Sequence, residues 1–190
     1  MGSSVMTASY CKAAQDNKVS FVFLCPGQIE EMLSKPICGA TGADLECLIS
    51  ELQADINLAN YFKYNCRYKY RIINLSETVY YKGSKNGNKP NKLQIESKEK
   101  VKRLQESIKD MELILVFNLE YKGVFQKRVL LEDKVVKNII YSRHLSSQAI
   151  NQMDKDGDNV KIGSNSEGNL KRRIKVISKE SIKQFKIGEV

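Results

Sequence analysis

Four short runs of the chain, residues 20–25, 70–74, 112–117 and 137–142, are built almost wholly of residues suited to burial. A strand with one wet face alternates polar and apolar residues. A run that stays apolar reads as a strand buried on both faces. Helical patterns stand between these runs. Leu45, Leu48, Ile49, Leu52 and Ile56 fall on one helical face behind Thr41, which is expected to cap that helix. Ser97 opens a second helix with Val101, Leu104, Ile108 and Met111 on one side. Residues 119–130 read as a helix loosened at Gly123, and Leu170, Ile174, Ile177 and Phe185 as a last helix. Strands alternating with helices predict an α/β protein: a three-layer α/β/α arrangement around a central four-stranded parallel sheet.

A chain of 190 residues with 42% apolar content suits one domain. Residues 1–17 are expected to form an N-terminal helix or tail, and residues 155–190 a basic C-terminal extension. No apolar run approaches the ~20 residues that span a bilayer. No secretory apolar segment stands near the start, so the expectation is a cytoplasmic protein without a membrane partner. In parallel sheets, ligands bind at the carboxyl ends of the strands. That directs attention to residues 25–31, 74–77, Asn118 and residues 143–147.

Basic residues outnumber acidic ones 31 to 22, a net charge of +9. The excess is concentrated: residues 61–103 hold twelve Lys or Arg against three Glu. At its centre, KGSKNGNKP (residues 82–90) reads as a flexible basic loop, and Lys82, Lys85 and Lys89 as contacts to a phosphate backbone. A second basic run is Lys171, Arg172 and Arg173, with Lys175 close behind. A polyanion, most simply nucleic acid, is therefore the expected partner of a monomeric protein, with no protein partner foreseen.

Cys11, Cys25, Cys38, Cys47 and Cys66 are odd in number and contain no C-x-x-C pair. They read as reduced, mostly buried small hydrophobes, and neither as a disulfide framework nor as a cluster site. The single histidine, His144, excludes a multi-histidine metal centre. Asp154, Asp156 and Asp158 imitate a calcium loop, but Asn159 and Asn165 occupy its glycine and closing-glutamate positions, so the segment reads as a turn. No metal and no cofactor are expected.

Three strand ends together resemble the uracil-DNA glycosylase superfamily. Residues 25–42, CPGQIEEMLSKPICGATG, are similar without gaps to a motif reading A-P-G-x-x-E-D followed by G-R-P-F-V-G-R-S-G. Pro26, Gly27, Glu30, Pro36, Gly39 and Gly42 coincide with it. Glu31 stands for its Asp, Lys35 for an Arg and Thr41 for its Ser. Asn74 is similar to the family's base-reading asparagine, and the segment from His144 to Ser147 to its H-P-S motif. The resemblance covers roughly residues 18–150.

It implies an enzyme that flips a nucleotide out of the duplex and hydrolyses its N-glycosidic bond. Backbone N–H groups at Gly27 and Gln28 would meet the base carbonyls and the departing anion. Glu30 or Glu31 would orient water and stabilise the cationic sugar. Asn74 would read a base edge, and His144 would donate to a pyrimidine carbonyl as charge builds there. Leu145 or a neighbour would wedge into the gap left by the flipped base. Thr41 would hold a phosphate, and Arg143, Ser146 and Ser147 would lie against DNA.

The chain also departs from the pattern. Leu24 and Cys25 stand where many members carry Asp, Asn or Glu, which leaves the water-handling group open. Ile37 replaces a stacking Phe, so the pocket favours a base other than plain uracil. The family's four cluster-binding cysteines are absent. The reading is a DNA glycosylase acting on uracil or a modified pyrimidine, in base excision repair or in defence against phage with modified DNA. The alternative is a catalytically inactive, glycosylase-like nucleic-acid-binding protein.

Overall fold

The structure is a computed structural model and describes residues 6–129, 138–153, 162 and 167–188. Six strands form one mixed, mostly parallel sheet. They are β1 (Met6–Thr7), β2 (Tyr10–Cys11), β3 (Val19–Phe23), β4 (Arg71–Asn74), β5 (Leu113–Phe117) and β6 (Asn138–Ser142), in spatial order β1-β2-β4-β3-β5-β6. β3 lies between β4 and β5 and is parallel to both, and β6 extends the parallel set beyond β5. The register sets Phe23 beside Asn74 and Phe117 beside Ser142, so four strands end together at one edge.

The apolar runs have the predicted consequence. Successive side chains of a strand point to opposite faces. Val19, Phe21 and Phe23 enter one cluster, together with Leu45, Leu48, Ile49 and Leu52 of α2 (Gly39–Gln53) and Ile174, Ile177 and Phe185 of α7 (Glu167–Gly188). Val22 and Val116 enter the other, with Leu104 and Ile108 of α4 (Lys98–Ile108) and Phe125 of α5 (Lys122–Val129). Helices therefore cover both faces. Three short helices complete the set among the described residues: α1 (Gln28–Leu33), α3 (Lys92–Ile95) and α6 (Ser147–Asn151).

Several expectations need correction. The sheet has six strands where four were expected, because part of the supposed N-terminal helix or tail is the β1–β2 hairpin. β2 pairs antiparallel with β4 and takes up hydrogen-bonding groups that β4 would otherwise leave open at the edge. Two-residue strands are too short to show any period. Thr41 does not cap α2: Cys38 is the N-cap, and Thr41 is the third residue of the helix. The helix ends at Gln53, so Ile56 misses the buried face and is 87% exposed. Turns accepted by the Asp55 carbonyl and side chain close that end and deliver Leu58 to the core instead.

Ser97 is the N-cap of α4, as expected. α5 runs straight through Gly123; the irregularity precedes it, as a 3-10 turn at Leu119–Tyr121. The C-terminal helix is part of the core and no appendage. α7 packs on α2 and β6, and Arg173 of the basic run is 2% exposed, its Nε donating to the Met153 carbonyl at 3.0 Å. The ends of two predicted elements, Leu130 and Lys137, and the aspartate-rich turn lie outside the described residues. Among the described residues no helix is long and apolar enough to cross a membrane.

Asp44 of α2 is 3% exposed. Burial pushes its carboxyl up to about 6, from an ordinary 3.8. A folded-state value above the unfolded one means that protonation favours the fold. The benefit is full below the unfolded value and is lost as pH rises through about 6. Asp44→Asn is therefore expected to raise Tm at pH 8 and to change it much less near pH 4. An equal shift at both pH values would show that Asp44 carries no buried charge.

Candidate active site at the carboxyl ends of the parallel strands

β3 leads into a turn at Pro26 and Gly27, where α1 starts with Gly27 as its N-cap in extended backbone. The Tyr80 N–H donates to the Pro26 carbonyl at 3.0 Å, and the Leu75 and Ser76 N–H groups continue the pairing to Phe23 and Leu24 at 2.9 Å each. The loops after β3 and β4 are thereby one unit.

Glu30 organises the motif that the sequence singled out. Its Oε2 accepts from the Gly27 N–H at 3.0 Å, and its Oε1 from the Cys38 N–H at 2.8 Å. One carboxylate thus ties the turn before α1 to the residue that starts α2. Between them the chain bends through left-handed residues: Ser34 at φ 50°, Ile37 at φ 51° and Gly39 at φ 59°. A β-branched residue there stores ~1–3 kcal/mol, held only because its surroundings over-determine it. The bend brings the Ile37 carbonyl so close to α2 that a Cβ at Gly42 would sit 2.4 Å from it, with the Arg67 guanidinium carbon 2.8 Å away. Only glycine fits at position 42.

This geometry changes several assignments. The Gly27 N–H is engaged by Glu30 and is not open to a base. Glu30 holds backbone with both oxygens, so its visible role is positioning; Glu31 is exposed on α1. Gln28 is exposed at the first position of α1. Ile37 is 4% exposed within the core and forms no open platform. Burial, with the Glu30 charge second, pushes the Cys25 thiol up to about 12, so it remains a protonated thiol. Two cysteines, Cys47 and Cys66, are exposed, against the expectation of mostly buried thiols.

Asn74 ends β4 and is fully buried. Its Nδ2 donates to the Ala8 carbonyl in the β1–β2 turn at 3.3 Å, and its Oδ1 has no partner. Arg103 of α4 donates from Nη2 to the carbonyls of Asn74 and Leu75 at 2.8 and 3.1 Å, and pairs with Glu77. Sequence reading missed Arg103, and a lone Arg on a basic helix offered no signal.

His144 follows β6. Its Nδ1 accepts from the Ser146 N–H at 3.0 Å, which leaves Nε2 to carry the ring proton. Its ring meets Phe23 edge-on at 6.2 Å, and Phe23 stacks on Phe117 at 4.7 Å. Burial lowers the imidazole below its ordinary value, so the ring is neutral at neutral pH. Leu145 is fully buried and cannot serve as a wedge. The Ser146 Oγ accepts from Ala149, and Ser147 starts α6. Arg143 is exposed and 3.7 Å from Glu180 of α7.

The basic loop is more ordered than its composition suggests. The Tyr81, Ser84 and Gly87 N–H groups donate within it, and Asn86 Nδ2 donates to Val79. Lys89 pairs with Glu120 at 3.0 Å, while Lys82 and Lys85 are exposed. Beside Glu120, Leu119 is half exposed just past β5, and Met32 and Leu33 of α1 are exposed as well. The described cleft of about 720 Å³ lies elsewhere, at the amino-terminal ends of the strands. No family model matches the chain, and no curated protein matches it.

Two substitutions check the clamp. Glu30→Ala is expected to cost ~1–3 kcal/mol, since hydrogen bonds to a charged group are lost, and to speed hydrogen exchange at the Gly27 and Cys38 amides. Gly42→Ala should cost ~1–3 kcal/mol through overpacking against the Ile37 carbonyl, read by denaturant unfolding. Unchanged stability in both would remove the clamp as the organiser of this edge.

Proposed function

We propose that the protein is a DNA glycosylase that flips a base from DNA and hydrolyses its N-glycosidic bond, acting on uracil or, preferably, a modified pyrimidine. The three-layer glycosylase-like architecture belongs to the same proposal. It is supported by the four parallel strands in the order β4-β3-β5-β6 and by helices on both faces.

The observation that carries the reading is the state of His144. A neutral imidazole with its proton on Nε2, held by the Ser146 N–H and packed against Phe23, is a preorganised hydrogen-bond donor. A leaving pyrimidine gains negative charge as the glycosidic bond breaks. A fixed donor beside it therefore favours the transition state over the bound ground state. Glu30 keeps the Pro26–Gly27 turn in place, and Asn74 closes the neighbouring strand end. Lys82 and Lys85 meet the phosphate backbone, and Leu119 takes the wedge position that buried Leu145 cannot fill.

A second reading, a glycosylase-like protein that binds nucleic acid without cleaving it, rests on two observations. Both oxygens of Glu30 are committed to backbone N–H groups. Leu24 and Cys25, beside the turn, offer no carboxylate for water.

Single-turnover base release from duplexes carrying uracil or modified cytosines, followed by alkaline cleavage, separates the two. On the substrate so found, His144→Ala is expected to cut the rate by ~10²–10³ with little change in DNA affinity. The fall of the wild-type rate in acid should begin at a lower pH than an ordinary imidazole would give, because burial keeps the neutral donor present. A normal rate in His144→Ala removes this histidine from the mechanism; release from no duplex leaves the binding reading. Lys82→Glu with Lys85→Glu should weaken binding to all sequences alike and flatten its salt dependence. Unaltered salt dependence would place the DNA elsewhere on the surface.

A further inference from the structure

The cleft of about 720 Å³ is formed where β3, β4 and β5 begin, at the opposite edge of the sheet from His144. Lys12, Asn17, Tyr68, Lys69, Arg71 and Asp110 are among its lining residues. Lys12 and Lys69 are exposed, and neither has an ion-pair partner among the described residues. Of the acidic groups nearby, Asp110 is paired with Arg71, and Asp16, which faces Lys69, accepts from the Tyr64 hydroxyl. The cleft therefore carries an excess of positive charge.

Two unmet donors point the same way. Asn17 is 4% exposed and Arg71 8% exposed. Asn17 Oδ1 accepts from the Val19 N–H at 2.8 Å, which fixes the amide orientation and leaves Nδ2 without an acceptor. Arg71 uses Nη1 and Nη2 on Asp110 and the Ser107 carbonyl, and its Nε also lacks an acceptor. Buried polar groups are nearly always satisfied, so two orphaned N–H donors on residues that line one cleft call for an explanation. A dense set of donors and cations suits the several acceptor oxygens of a phosphate. The volume is that of a small-molecule site.

We propose that this cleft binds a phosphate-bearing small molecule of mononucleotide size, with the phosphate drawn by Lys12 and Lys69 towards the Asn17 and Arg71 N–H groups. The site is separate from the proposed DNA face and does not depend on that reading.

Thermal unfolding and calorimetric titration with AMP, dUMP, inorganic phosphate and uncharged adenosine test it on the intact chain. A nucleoside monophosphate is expected to raise Tm and to bind more tightly than phosphate, and adenosine to do neither. Lys12→Gln with Lys69→Gln removes two charges from exposed side chains and should abolish the shift, each protein being read against its own ligand-free Tm. Asn17→Asp keeps the acceptor for the Val19 N–H and replaces the orphaned donor by a carboxylate. It should weaken binding about tenfold or more. No shift with any phosphate compound at millimolar concentration overturns the proposal. So does a shift that survives the double lysine substitution. Equal affinity for phosphate and mononucleotides overturns the assignment of ligand size. Duplex affinity measured on the same variants reports on the DNA face independently.

Discussion

β3 is the strand on which the rest of the molecule depends. It pairs in parallel with β4 on one side and β5 on the other, and every residue of it is buried. Parallel pairing has a geometric consequence that antiparallel pairing lacks: all the strands finish at the same edge. The turn at Pro26 and Gly27, the buried Asn74, the Asn118 turn and His144 therefore lie along one edge, although they are spread over more than a hundred residues of sequence. The stacked rings of Phe23 and Phe117 form the floor at that edge, and His144 stands against it.

At this edge the polar groups are arranged chiefly to hold backbone. Glu30 accepts from two N–H groups, Arg103 donates to two carbonyls, and Asn74 donates to a third. Such bonds stiffen loops that would otherwise move, and they allow a strained Ile37 to persist. His144 differs from these groups: its Nδ1 is used for orientation, and Nε2 carries the ring proton. That division between positioning groups and a single donor is what a site requires if its chemistry consists of stabilising a leaving anion.

The opposite edge has a different character. Where the strands begin, cations and unmet donors line a cleft, and one carboxylate there is neutralised by Arg71. Exposed positive charge thus stands at both ends of the parallel strands. The loop carrying Lys82 and Lys85 follows β4, and Lys12 and Lys69 stand at the other end of the sheet.

The sequence alone determined the α/β class, the four parallel strands, the helix after Ser97 and the buried face from Leu45 to Leu52, though not the start of that helix at Cys38, because runs apolar on both faces and 3-4 periodicity reflect local burial. It also pointed to the strand ends as the place to look. The β1–β2 hairpin was invisible, since two-residue strands exist only by virtue of β4's open edge. Tertiary structure alone decided what each candidate side chain touches. Leu145 reads as a wedge and is buried; Glu30 reads as a carboxylate that orients water, and both of its oxygens accept from backbone N–H groups; Lys89 reads as a phosphate contact and pairs with Glu120. A residue's type is written in the chain, but its hydrogen-bond partners and its access to water depend on segments far away in sequence, and only packing brings those segments together.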